Sequence, residues 1–330
     1  MNRSIVILCA PVLFAGCAVE TPDNINFAFD DDTRTATITG YYYGDTVIVP
    51  EALSNMVSEY RVTSIAPDAF TGCDSLRYVV LPDGLVNISE RAFFNCTQLD
   101  YIKIPKSVQS IGANAFRGCK IFNDSNRWTD NALYIDNWLI RIKVDTSYYT
   151  IADTIEHIAD GAFSGYQSNN PLTDVYVSNV NTHYTSECGI LFNKEKSKLI
   201  CYPRLKADTA YTIPESVTTI GAVAFIGNTS LKHVKINPNV TSIGISAFRG
   251  CNALKQVTLP ANVTMIDDKA FSGCSSLEQV TSLNPEPPRM GEIVFDGVCS
   301  DIPLYVPKES VLLYSQHEQW SNFYNIIAIE

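Results

Sequence analysis

Basic residues are scarce in this chain. Its 330 residues carry 24 Lys and Arg against 35 Asp and Glu, a formal net charge of −11. Gripping a phosphate backbone needs a concentrated basic face, and no Lys/Arg cluster interrupts the acidic balance, which argues against a nucleic-acid partner. Histidine is scarcer still: His157, His183, His233 and His317 have no second ligand at metal-binding spacing. No GxSxG elbow, P-loop, HExxH, GxGxxG or CxxC occurs. Asp30-Asp31-Asp32 lacks the alternating oxygen ligands and the Gly of an EF-hand loop, and reads as a solvated hairpin turn. Catalytic residues, a metal and a cofactor are therefore not expected.

A long apolar run is also missing. Ile5 to Ala15, behind the lone charge of Arg3, is too short to cross a bilayer as a helix and suits a signal peptide. Ala15-Gly16 directly before Cys17 resembles a bacterial lipobox, although Phe14 stands where Leu is usual. This predicts a signal peptide over 1–16, a lipid on Cys17 and a tether over 17–25. Ala18 in place of Asp points to the outer membrane. At 46% hydrophobic and 18% charged residues, the remainder has the balance of an ordinary folded protein.

Ten cysteines in an exported chain would normally suggest disulfides. Their placement argues otherwise. Cys9 lies in the predicted signal peptide. Cys73, Cys96, Cys119, Cys251 and Cys274 share one position, three residues after a Phe, which Tyr166 and Asn228 occupy in two further places. One Cys per repeat is simply a small buried hydrophobe. Cys188 and Cys201 flank a hairpin, and a bridge between them stays open.

What the chain does have is a repeat. Ile65-Ala66-Pro67-Asp68-Ala69-Phe70-Thr71-Gly72-Cys73 returns around Ala92-Phe93, Ala115-Phe116, Ala224-Phe225, Ala247-Phe248 and Ala270-Phe271. Within each run of three the step is 23 residues, and a seventh copy, Ile158…Ala162-Phe163-Ser164-Gly165, sits between the runs. A fixed period of this length means stacked coils. Each copy continues into a half-buried strand, as in Leu76-x-x-Val79-x-Leu81-Pro82, which Pro ends by withholding an N–H. A short second strand follows, as in Val108-x-x-Ile111. Two longer gaps each hold a hairpin, Ala132–Ile135 with Trp138–Ile140, and Gly189–Phe192 with Leu199–Tyr202.

These features predict a β-rich solenoid: a right-handed superhelix of about ten 23-residue coils with two hairpin insertions. Its coils run over 62–283, between an N-terminal β cap at 26–61 and a C-terminal cap at 284–330. The last holds a short helix near Ser310–Gln316 and a strand over Asn325–Ile329.

The phrase Ile-Gly-x-x-Ala-Phe-x-Gly-Cys-x-x-Leu-x-x-Val-x-Ile-Pro resembles the BspA-like leucine-rich repeats of bacterial surface proteins. The hairpin Gly189–Tyr202 and the tail Leu304-Tyr305-Val306-Pro307…Trp320…Phe323 are similar to that family too. With the lipobox, the resemblance implies a lipid-anchored outer-membrane protein of Bacteroidales type, displayed at the cell surface. It implies attachment to a host or matrix protein or a glycan.

In a solenoid the concave sheet is the usual binding side. Its outward positions here are Tyr78, Val80, Tyr101, Lys103, Tyr176, His233, Lys235, Gln256 and Thr258. The tyrosines suit a protein or glycan contact, though a sheet face also favours Tyr, Thr and Val on packing grounds alone. The expected function is non-catalytic adhesion through Tyr78, Tyr101, Lys103, Tyr176, His233, Lys235 and Gln256. A structural or scaffolding envelope lipoprotein without a soluble ligand is the alternative. In both, the chain is a monomer that meets the membrane through its N-terminal lipid only.

Overall fold

The computed structural model describes residues 25–41, 43–54, 58–143, 146–164 and 171–329. The predicted signal peptide with Cys9, the lipid site Cys17, the tether up to residue 24 and Tyr166 lie outside them. Two compact units are present: Met1–Ile142 with His157–Ala162, and Lys143–Glu156 with Phe163–Glu330. Both are built from leucine-rich-repeat coils of a β-solenoid, with about 12 turns in all among the described residues.

In the first unit a ladder of short strands stacks Thr35–Tyr41, Glu59–Ile65, Asn87–Ile88 and Ser110–Ile111 in parallel. Ile38, Ile65, Ile88 and Ile111 fall in one register and are buried. Ile25–Asp30 closes one edge as an antiparallel hairpin. In its turn Asp30 Oδ1 accepts the N–H groups of Asp32 and Thr33 at 2.9 and 3.1 Å, the solvated turn expected of three aspartates. A second, parallel sheet holds Thr46–Ile48, Tyr78–Val80 and Tyr101–Lys103, with Val47, Val79 and Ile102 inward. Strands Trp128–Thr129, Ala132–Ile135, Trp138–Ile142 and His157–Ile158 form the expected first hairpin and its neighbours.

The second unit repeats this plan. Its short ladder runs from the hairpin strands Ile190–Asn193 and Lys198–Cys201 through Thr219–Ile220, Ser242–Ile243 and Met265–Ile266 to Arg289–Met290. Its long sheet stacks Ala210–Thr212, His233–Lys235, Gln256–Leu259, Gln279–Ser282, Pro303–Val306 and Asn325–Ala328 in parallel. A separate pair joins Tyr148–Ile151 to Asp174–Val177.

Repeat stacking extends into both segments expected to be caps. Ile38 and Val47 take coil positions at 26–61. At the other end Met290-Gly291…Val294-Phe295-Asp296-Gly297 is an eighth copy, disguised by Met for Ile and Val for Ala. Beyond it the helix Val311–Gln316 and the turn Trp320–Asn322 seal the core. The Tyr314 hydroxyl bonds to Ser282 Oγ and to the Asn284 carbonyl at 2.7 and 2.8 Å, and Trp320 Nε1 donates to Pro288 O at 2.9 Å. Every buried polar tip of that plug is thus satisfied.

Stacking turns one Phe per coil into a continuous aromatic column. Centroids lie 4.7 Å apart for Phe70–Phe93 and 5.5 Å for Phe93–Phe116. In the second unit Tyr202, Phe225, Phe248, Phe271 and Phe295 follow one another at 5.0, 4.6, 5.1 and 5.3 Å. Burying each ring contributes about 1.5–3 kcal/mol, and each stacked pair roughly 0.5–1.5 more.

Two features of the turn go beyond the sequence reading. The residue before each Ala is left-handed: Asp68, Arg91, Asn114, Gly161, Val223, Ser246, Lys269 and Ile293 all have φ between 46 and 72°. Only one of them is Gly. The shared Cys is also more than a small hydrophobe, because its thiol donates to the Phe carbonyl of the previous coil. Cys96, Cys119, Cys251 and Cys274 reach Phe70, Phe93, Phe225 and Phe248 at 2.9, 2.9, 3.1 and 3.2 Å. Those four are buried and Cys73 is half-buried. Cys188 and Cys201 are both free thiols, the first exposed and the second buried, so the open bridge is not formed.

Candidate binding face

The seven outward residues named from the sequence fall on three different sheets. Tyr78 and Tyr101 sit opposite each other in the first unit's long sheet, each about half exposed, with ring centroids 6.5 Å apart. The β-period sends Val79 and Ile102 into the core and these two rings outward. The neighbouring outward column is Ile48, Val80 and Lys103, in register across the three strands. Ile48 is 63% exposed and Val80 43%, so the patch is apolar as well as aromatic.

A carboxylate at the edge of this patch is paired locally. The carboxylate of Asp100, next to Tyr101, meets Lys120 Nζ at 2.8 Å and Arg127 Nη2 at 3.0 Å. The Lys120 hydrogen bond, with the charge of both cations behind it, holds this carboxyl below its ordinary pKa. Lys103 is the one charged side chain among the six outward positions.

Tyr176 lies in the second unit on the two-stranded sheet, where its ring meets Tyr148 at 6.2 Å. His233, Lys235 and Gln256 are together on the six-stranded sheet. His233, Gln256 and Gln279 form one column there, and Thr258 pairs with Thr281 in the next. These positions are polar, while their columns run on to Ala210 at one end and to Tyr305 and Ile327 at the other.

Ile48 and Tyr148 were missed. Ile48 lay in a segment read as a cap, and the available signal was its period-two spacing from Thr46 beside the buried Val47. For Tyr148 the signal was its period-two spacing from Thr150, ahead of the buried Ile151. The alignment of Tyr149 with Val175 in the ladder would have placed its neighbour outward.

Among the described residues no group of three His, Cys, Asp or Glu side chains could hold a metal. No helix there is long and apolar enough to cross a membrane.

Comparison with known proteins accords with the repeat. Residues 50–170 and 205–307 match the BspA type leucine rich repeat region in six copies. No functionally curated protein matches. Three similar solved structures come from bacteria. A leucine-rich repeat protein from Eubacterium ventriosum is 22% identical, with a TM-score of 0.46, covering 87% of this chain and 77% of its own. The pneumococcal vaccine antigen PcpA is 18% identical, with a TM-score of 0.42, covering 93% and 97%. A leucine rich cell surface protein from Faecalibacterium prausnitzii is 18% identical, with a TM-score of 0.39, covering 98% and 96%. The family match spans well over half of the chain and carries the repeat phrase through both units. The chain belongs to the BspA type leucine-rich repeat family.

Proposed function

We propose that this protein is a non-catalytic binding protein of the cell surface, which holds a host or matrix protein or a glycan on the outward face of its long sheets. The observation that carries this reading is the patch of Ile48, Tyr78, Val80 and Tyr101, four exposed apolar side chains in two ladder columns. Core packing does not require them, since the inward positions between them already fill the coil. Aromatic and apolar side chains gathered on a rigid face supply contact area at low conformational cost. Tyr176 with Tyr148 offers a second, smaller aromatic contact. His233, Lys235 and Gln256 belong to a polar face suited to hydrogen bonding rather than to apolar anchoring.

The anchoring half of the proposal rests on Cys17 and the residues before it. A lipid there would keep the coils at the outer membrane without spanning it. Cys17→Ser should release the protein into the soluble fraction, and retention in the membrane fraction would refute the anchor.

The binding half is tested by presenting the protein to arrays of matrix proteins, mucins and glycans. Tyr78→Ala/Tyr101→Ala should weaken capture of whatever the wild type retains, with thermal unfolding nearly unchanged. Undiminished capture by the variant would remove this face from consideration.

A further inference from the structure

Five of the copies each hand three backbone N–H groups to the coil that follows. They belong to the left-handed residue, the Phe, and the residue two beyond it. Asp68, Phe70 and Gly72 donate to the carbonyls of Glu90, Ala92 and Phe94 at 3.2, 2.7 and 2.8 Å. Ser246, Phe248 and Gly250 donate to Asp268, Ala270 and Ser272 at 2.8, 2.7 and 2.8 Å. Lys269, Phe271 and Gly273 donate to Glu292, Val294 and Asp296 at 3.0, 3.0 and 2.7 Å. The eighth copy has no coil after it. Among the described residues its three equivalent donors, the N–H groups of Ile293, Phe295 and Gly297, find no acceptor.

Those same three residues line a cleft of about 320 Å³ between the eighth turn and the C-terminal plug, where Gln319, Asn322 and Phe323 form the opposite wall. The comparable place in the first unit is the turn of the third copy. There Phe122, Ile140 and Arg141 fill the space, and about 10 Å³ is left. At the eighth copy unanswered donors and ligand-sized room coincide.

We propose that this cleft docks a short peptide segment of another protein, whose main-chain carbonyls continue the turn ladder by accepting from Ile293, Phe295 and Gly297. The geometry selects the chemistry. In the interior coils the matching oxygens sit on alternate residues of a turn, with left-handed residues such as Arg91 and Lys269 between them, a conformation that a Gly-rich backbone adopts readily. Asp296 lines the cleft and no Lys, Arg or His does, so a carboxylate or phosphate is disfavoured and neutral amide carbonyls fit. The place where the next Phe would stack is taken: Phe323 and Trp320 lie 5.1 and 5.8 Å from the Phe295 ring. Side chains facing the plug must therefore be small, so a Gly/Ala-rich segment fits. This site is separate from the sheet face and stands or falls independently of it.

The full chain, labelled with ¹⁵N and with ¹³C on its methionine methyls, is titrated with acetyl-Gly-Ala-Gly-Ala-Gly-amide. Backbone amide signals of Ile293, Phe295 and Gly297 should move downfield together and saturate. The Met290 methyl, in the cleft wall, should follow, while Met265, which does not line it, stays still. Acetate should shift none of them. Asn322→Trp, which plugs the cleft from an exposed position, should weaken the peptide at least about tenfold, and Leu312→Trp, on the exposed plug helix, should not. Three results would each overturn the proposal: amides that respond to acetate but not to peptide, amides that respond to neither, or equal binding by Asn322→Trp. Slow exchange of the three amides without peptide would do the same, because it would show that they already have partners.

Discussion

The two runs of copies, Ile65–Cys119 in the first unit and Ile220–Cys274 in the second, have the same interior and different exteriors. Inside, Ile ladders and Phe columns superpose residue for residue. At the thiol position the first run has Cys73, Cys96 and Cys119, and the second has Asn228, Cys251 and Cys274. Outside, the first unit shows Tyr78, Val80 and Tyr101 where the second shows His233, Lys235, Gln256 and Thr258. Stacking fixes the inward positions, since each must cover its neighbours' apolar edges. Nothing in the stack fixes the outward ones. A difference on the outside therefore points to what the surface meets.

The largest test of the shared interior is truncation of one ring in each column. Phe93 and Phe248 are both sandwiched and essentially without solvent contact. Phe93→Ala and Phe248→Ala should each destabilise by about 3–5 kcal/mol in urea unfolding. A loss under 1 kcal/mol at one site only would break the equivalence of the two runs.

The thiol position should separate them. Asn228 does with an amide what its neighbours do with sulfur, and more. Its Nδ2 donates to the carbonyls of Pro203, Arg204 and Lys206, and its Oδ1 accepts from the N–H groups of Ser230 and Leu231. Asn228→Ala leaves several buried groups unanswered and should cost about 2–3 kcal/mol, against about 1 kcal/mol for Cys251→Ala. Equal losses in chemical denaturation would mean that the amide is merely filling space.

Much of this was legible in the sequence, and what was not has physical reasons. The period, the inward Phe and both hairpins follow from spacing that cannot change without breaking a ladder. The left-handed residue was invisible because its side chain varies from Asp68 to Ile293; the backbone is bent there by its neighbours' hydrogen bonds, not by a glycine. The eighth copy hid because Met290 and Val294 conserve volume rather than identity. Outward residues carried the weakest signal. Alternation places them on a face, but only the stacked register joins Ile48 to Val80 or parts Tyr176 from Tyr78.

Burial pushes the Cys201 and Cys274 thiols up to about 12. A raised thiol pKa stabilises the folded state fully below the unfolded value and loses that contribution as pH climbs through the folded one. Stability should thus fall from about pH 9 towards pH 12, by up to about 1.4 kcal/mol per pH unit for each such thiol. Cys274→Ala should flatten the slope of an alkaline urea series, whereas Cys188→Ala, at an exposed thiol, should leave it unchanged. At neutral pH, native alkylation should reach Cys188 and Cys299 and spare the buried five, Cys96, Cys119, Cys201, Cys251 and Cys274.

The left-handed column offers a smaller, signed comparison. Gly161 holds φ 72° without strain, while Ile293 holds φ 46° with a β-branched side chain that is 55% exposed. Ile293→Asn should raise stability by about 0.5–1 kcal/mol, and Gly161→Val should lower it by about 1–2 kcal/mol. Shifts of the same sign at both sites would show that side-chain packing rather than backbone conformation governs the position.

The smallest expected effect on folding bears most directly on function. Tyr78 and Tyr101 touch each other across a ladder step but cover nothing in the core, so losing both should cost only about 0.5 kcal/mol of stability. Loss of binding should be larger, about 1–2 kcal/mol for each ring that anchors a partner. His233→Ala/Gln256→Ala provides the matched control on the polar face of the second unit. If the apolar patch is the binding surface, the tyrosine pair weakens capture and the control pair does not. Should the control pair weaken it more, the difference between the two exteriors would still mark function, with the polar face as the one in use. Equal capture by both variants and the wild type would show that neither exterior meets the ligand, and that their divergence reflects only the freedom stacking allows.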